Sequence, residues 1–229
     1  GQVVDYAYTL QGWLKGVNST VVQSAVDMGG DSSTIARDAY GYQLSYYGNG
    51  STVKDYSPIG TNHPFDDQVA AIPGDFRPMY NGNIAVVTSN IPKLGTAGWM
   101  SNVNAYDQLN RVIWTKVYTA NHLAAGSQTY NNAYNEFFSY DANGNMGFQY
   151  RTDDNAVTST PLDNLLYIYH KDSNNKLINN RLAQLQEYAD DHTSNATEIK
   201  KGNIDYIYDE TGNITSETLT NSILYMLLL

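Results

Sequence analysis

Cysteine is absent from this 229-residue sequence, which excludes disulfides and thiolate metal sites. That leaves the compartment open, because exported proteins can dispense with disulfides. Basic residues are scarce: 13 Lys and Arg stand against 23 Asp and Glu, for a formal charge of -10, and only Lys200-Lys201 are adjacent. Gripping a phosphate backbone takes clustered Lys and Arg, so nucleic acid is not expected as a partner. Long apolar runs are missing too. The longest is Ile223-Leu224-Tyr225-Met226-Leu227-Leu228-Leu229, far below the roughly 20 residues of a membrane helix, and it is expected to be a truncated or atypical end rather than an anchor. No basic-then-apolar leader is read.

Tyrosine is abundant, with 20 residues against 5 Phe and 3 Trp, alongside 18 Gly. Tyr-rich stretches punctuated by Gly and Asn favour strands and turns over helices. The tyrosines mark a seven-residue frame with Tyr first, Gly or Asn fifth and an aliphatic residue or Met seventh. It occurs as Tyr8-Thr9-Leu10-Gln11-Gly12-Trp13-Leu14, Tyr106-Asp107-Gln108-Leu109-Asn110-Arg111-Val112, Tyr140-Asp141-Ala142-Asn143-Gly144-Asn145-Met146 and Tyr208-Asp209-Glu210-Thr211-Gly212-Asn213-Ile214. A recurring frame implies copies of one supersecondary unit.

Turn chemistry identifies that unit. A three-residue hairpin loop combines a type I turn, which favours Asp at its first position, with a left-handed residue at its fourth, where Gly or Asn fits. Placing the frame's second residue at the first turn position puts Gly12, Asn110, Gly144 and Gly212 on the left-handed site. The flanking residues then pair across the hairpin, Tyr140 with Met146 and Tyr208 with Ile214, as aromatic-aliphatic pairs. Period two adds Tyr6, Phe138 and Tyr206 to the same face. The fold expected is all-β, a series of antiparallel hairpins with at most a few short helices.

Between the frames, residues 18–30 have helix-like apolar spacing and residues 38–47 alternate as a strand. Residues 48–79 read as a long loop with several Pro, of the functional or mobile kind. Tyr80-Asn81-Gly82-Asn83-Ile84 restarts the hairpin grammar at an Asn-Gly turn. Residues 121–136 suit a short helix or surface excursion, 165–177 a degenerate copy with a longer polar turn at Lys171–Asn175, and 181–190 one or two helical turns.

Chemistry-bearing patterns are sparse. Asp141 to Asn145 resembles the start of a calcium loop, but that loop needs Gly sixth and Glu twelfth, and these positions hold Met146 and Thr152. The acid pairs Asp66-Asp67, Asp153-Asp154 and Asp190-Asp191 read as solvated loops. His63, His122, His170 and His192 lack the spacing of a zinc site. No nucleophile elbow, phosphate loop or dinucleotide fingerprint occurs. A glycoside hydrolase needs two carboxylates across a cleft, and nothing here pairs the acids. No catalytic residue, metal or cofactor is expected. The sequons at Asn18, Asn49, Asn195 and Asn213 read as chance matches.

The frames at Tyr140–Asn145 and Tyr206–Ile214, with Tyr8–Val17 and Asp38-Ala39-Tyr40-Gly41-Tyr42, resemble the YD-repeat or RHS (rearrangement hotspot) proteins of bacteria. These are related to the shell subunits of insecticidal toxin complexes and to the teneurin YD shell. The resemblance covers most of residues 1–216, with a loop at about 48–79, and leaves 217–229 as an apolar tail. It implies hairpins spiralling into a hollow shell that encloses or displays a C-terminal toxin or effector, and a secreted or cell-surface location. The Asp-, Pro- and Gly-rich self-cleavage motif of that family has no counterpart here. The expected partners are the rest of a shell and an enclosed polypeptide. The alternative is an adhesion module whose tyrosines stack on glycans.

Overall fold

A computed structural model of the chain describes residues 3–20, 28, 38–48, 53–57, 64–65, 74–94, 99–119, 129–153, 161–190, 199 and 201–220. It is all-β. The strands are β1 (Tyr6–Tyr8), β2 (Leu14–Val17), β3 (Gly41–Ser45), β4 (Val86–Asn90), β5 (Trp99–Tyr106), β6 (Val112–Thr119), β7 (Thr129–Tyr140), β8 (Met146–Thr152), β9 (Pro161–Lys171), β10 (Leu177–Glu187), β11 (Gly202–Tyr208) and β12 (Ile214–Thr220). Helical structure among the described residues is one 3-10 turn at 92–94.

The chain forms two compact units, Gly1–Asn131 and Asn132–Leu229. In the first, β1 to β6 pair antiparallel in sequence order. In the second, β7 to β12 do the same. An up-and-down order puts successive connections at alternate strand ends. Within each unit, therefore, the Tyr-led turns share one rim and the other connections leave from the opposite rim.

One face of the first unit's sheet is covered by its own chain. Ala85, Val86, Val103 and Tyr118 are buried, and Phe76, Met79 and Trp114 pack against them. Phe76 and Met79 belong to the loop read at 48–79, so its described residues supply core. Phe65 is buried as well, and a Cβ on Gly16 would come within 2.5 Å of its ring. Asp75 accepts from Lys116 Nζ at 2.9 Å and from the Tyr118 phenol at 2.5 Å. Lys15 Nζ meets Asp55 Oδ1 at 2.8 Å, with both side chains nearly inaccessible. Removing one partner of such a pair strands a buried charge, at about 3–5 kcal/mol.

The second unit is built differently. Its buried hydrophobic residues among those described are Ala133, Leu165, Leu185 and Ala189. Aromatic side chains line both faces. Phe137, Phe148 and Tyr150 share one face through the pairs Phe137↔Tyr150 and Ser139↔Phe148, with Phe148 and Tyr150 stacked at 6.3 Å. Tyr140, Tyr167, Tyr169, Tyr206 and Tyr208 share the other.

Several sequence expectations are corrected. Arg181–Glu187 is strand, not helix, because Leu185, Gln186 and Glu187 pair with β9 on one side and β11 on the other, and this two-sided pairing overrides local propensity. Residues 129–136 belong to strand β7, which pairs with β8 from Glu136 onward. Tyr80–Ile84 is not a hairpin: Gly82 has φ 89°, but the preceding strand that pairs with β4 is β3, at Gly41–Ser45. The helix read at 18–30 falls mostly outside the described residues.

Candidate functional site

The turn rim is where the sequence frames converge. Tyr8 pairs with Leu14, Tyr106 with Val112, Tyr140 with Met146 and Tyr208 with Ile214, each beside a register shift of the bulge type. In the loop after Tyr140, Asp141 N donates to Asn145 O at 2.9 Å and Gly144 N to Asp141 O at 3.1 Å. The same two bonds recur from Thr9, Asp107 and Asp209. Gly12, Asn110, Gly144 and Gly212 have φ of 83°, 63°, 90° and 96°. This is a type I turn closed by a left-handed residue.

The aspartate closes each Asp-led loop from inside. Asp141 Oδ1 accepts from Asn143 N and Asn145 N, both at 2.9 Å, and Oδ2 from Asn145 Nδ2 at 2.8 Å. Asp107 Oδ1 takes Leu109 N at 2.8 Å and Arg111 N at 3.0 Å, and Oδ2 takes Arg111 Nε at 2.7 Å. Asp209 is bonded by Asn213 Nδ2 and N and by Thr211 Oγ1. Thr9 Oγ1 does the same for Trp13 N at 3.1 Å.

These bonds hold the carboxylates ionised. Asp209 lies well below the usual carboxylate range through the Asn213 amide, then Thr211 and the Asn213 N–H. Asp107 is lowered first by Arg111 N. For Asp141, partial desolvation pushes upward, and the Asn145 side-chain and backbone donors outweigh it.

The degenerate copy read at 165–177 carries the full loop. Lys171-Asp172-Ser173-Asn174-Asn175-Lys176-Leu177 has the same loop, with Asp172 N bonded to Lys176 O and Asn175 N to Asp172 O, Asn175 at φ 61° and Lys171 paired with Leu177. The turn is the same length as the others, not longer. Lys in place of Tyr hid the loop's register, while Asp172 and Asn175 at their frame positions could have revealed it.

Neighbouring turns are tied together. β10 carries extra residues between Leu177 and Leu182. There Asn180 Oδ1 accepts from Asn145 Nδ2 at 2.9 Å, and Arg181 Nη1 donates to Asp209 O at 3.3 Å. In the first unit, Asn110 Oδ1 accepts from Asn81 Nδ2 at 2.7 Å. Tyr80 stacks on Tyr47 at 4.8 Å, whose phenol accepts from Gln11 Nε2 at 2.7 Å.

Away from the rim, Glu187 is buried, with Oε1 accepting from Asn164 N and Ala189 N and Oε2 without a hydrogen-bond partner among the described residues. Burial, ahead of the nearby Asp163, pushes its carboxyl up. Asp163 itself is paired with Arg151. Tyr6, Tyr8 and Tyr40 are exposed and lie close enough to Tyr42 to add to the upward push that burial gives its phenol.

Among the described residues no cluster of three or more His, Asp or Glu could hold a metal, and no helix is long and apolar enough to cross a membrane. His170 is exposed, while His63, His122 and His192 lie outside the described residues. Asp66, Asp67, Asp154 and Asp191 lie outside them too. Asp190 receives Lys201 Nζ at 2.6 Å. Asn18 is sealed by bonds to Asp5 N and Tyr40 O.

No protein-family model matches the chain, and no curated protein matches it. Among solved structures it is similar to the crystal structure of TcdB2-TccC3-Cdc42, with a TM-score of 0.35 and 13% identity over 93% of this chain and 9% of that one. It is also similar to TcdB2-TccC3-TEV, with a TM-score of 0.33 and 12% identity over 92% and 9%. The chain thus spans about a tenth of the length of each.

Proposed function

We propose that the chain is a non-catalytic segment of a YD-repeat shell wall that encloses or displays another polypeptide. The observation that carries this reading is the turn rim, where one loop, with the same closing bonds and a left-handed fourth residue, recurs at five hairpins. Such a unit extends a sheet two strands at a time and builds no cleft. The second unit's sheet fits a wall, with aromatic residues on both faces and few fully buried ones. Electron microscopy of the full-length gene product tests this. A hollow particle with internal density is expected, and a solid particle would overturn the reading.

A second reading rests on the exposed Tyr6, Tyr8 and Tyr40 beside Tyr42. Phenols grouped on a surface stack on sugar rings and bond their hydroxyls, which suits a glycan-binding adhesion module. Glycan-array binding lost in Tyr6→Ala and Tyr8→Ala would favour it over the wall. No glycan binding at all would remove it.

A further inference from the structure

The contact between Lys15 and Asp55 has the geometry of a reaction as well as of an ion pair. Nζ lies 2.8 Å from Oδ1, and the two side chains are 2% and 4% exposed. Asp55 Oδ2 is held separately, by Tyr46 N at 2.8 Å and Gly48 N at 3.4 Å. An amine therefore sits at one oxygen of a carboxyl group while two backbone N–H groups point at the other. Tyr46, whose N–H meets Asp55, packs its ring on Trp13 at 5.0 Å, and its phenol donates to Leu14 O at 2.7 Å. Gly48 leaves room for the approach, since a Cβ there would stand 2.9 Å from Asp55 N and 3.0 Å from its Oδ1.

We propose that Lys15 and Asp55 form an intramolecular isopeptide bond. One proton passes from the Lys15 ammonium to Asp55 Oδ1 across the existing contact, which frees the Nζ lone pair. Nζ attacks Cγ, the N–C bond forms, and the tetrahedral intermediate carries its negative charge on Oδ2, facing the Tyr46 and Gly48 N–H groups. A second proton passes from Nζ to Oδ1, the Cγ–Oδ1 bond breaks, and Oδ1 leaves as water. The ammonium and carboxylate together contain every atom of the amide and the water, so no oxidant or co-reactant is consumed.

Three physical effects favour this step. Holding the reactants in contact replaces a bimolecular encounter, and effective molarities of about 10⁵–10⁸ M are reached in well-oriented cases. Fixed N–H donors at a developing oxyanion lower the barrier without reorganising. Converting a buried ion pair into a neutral amide removes two charges from a site where each is costly to desolvate. The product would join β2 to the connection between β3 and β4, fastening the covering chain of the first unit to its sheet.

The test is the intact mass of the purified full chain, followed by peptide mapping after denaturation and proteolysis. The expected result is a mass lower by one water and a branched peptide joining the segments of Lys15 and Asp55. Lys15→Arg and Asp55→Ala should have full mass. Asp55→Asn should give the same branched peptide with loss of ammonia instead of water, so the cross-link can be read even where the acid is replaced. Full mass with separate Lys15 and Asp55 peptides overturns the proposal, as does a water loss that maps elsewhere.

Discussion

Arg181 lies over the ring of Tyr208, its guanidinium carbon 5.7 Å from the ring centre, and donates to the carbonyl of the next residue, Asp209. One side chain from the β10 bulge thus clasps the neighbouring turn. Arg181→Ala is expected to cost about 0.5–1 kcal/mol and to speed amide exchange across 209–213. Unchanged exchange there would show that the clasp does not hold the turn.

Gly144 and Gly212 occupy left-handed backbone, where a β-branched residue is strained. Gly144→Val and Gly212→Val should each lower stability by more than about 1 kcal/mol in urea unfolding. Gly212→Val should lose more, because its Cβ would also stand 3.2 Å from Arg181 Nη2. Equal losses would mean that Arg181 yields freely.

The turn aspartates make acid lability predictable in sign. Asp107, Asp141 and Asp209 are lowered in the folded chain, so the folded state binds fewer protons than the unfolded one. Their contribution is complete above the unfolded value of about 3.9 and drains away as pH falls toward the folded values. A triple Asp→Asn variant should therefore show a flatter decline in melting temperature below about pH 4. An equally steep decline would place acid lability elsewhere.

Glu187 acts in the opposite sense. Burial raises its carboxyl, so between the unfolded and folded values the folded state holds a proton that the unfolded state has released. Its stability cost is present at high pH and is relieved as pH falls through the folded value toward the unfolded one. Glu187→Gln should raise the melting temperature at pH 8 and by less at pH 5. An equal or negative effect at pH 8 would refute the assignment.

Among the described residues β12 pairs with β11 alone, and Ile207, Ile214 and Leu219 are exposed. An apolar strand edge recruits other chains. Sedimentation of the isolated polypeptide should show concentration-dependent association, reduced by Leu219→Lys. A monomer at all concentrations would contradict this.

The hairpins were legible because their signal is local: Asp first and Gly or Asn fourth in the turn decide the loop whatever surrounds it. The copy at Lys171 was less so, since its flanking residue is not Tyr, although Asp172 and Asn175 kept the turn chemistry. Packing was not legible. The Phe76 and Met79 side chains reach the sheet across a long connection, and Lys15 finds Asp55 forty residues later, which no periodicity encodes. The helical reading of 181–190 failed because pairing to strands on both sides outranks local spacing. Leu185 and Glu187, buried on one face, were the period-two clue.

The β10 bulge also governs which length changes the chain can accept. Relative to β9, it adds three residues before Leu182 and one more before Gln184. Those additions together are even, so the strand resumes with the parity it had at the turn, and Leu185 and Glu187 return to the buried side. Adding or removing a single residue there would reverse that parity, turning both toward solvent and presenting Gln184 and Gln186 in their place. Changes in steps of two would preserve it, so this segment can vary in length only in even steps.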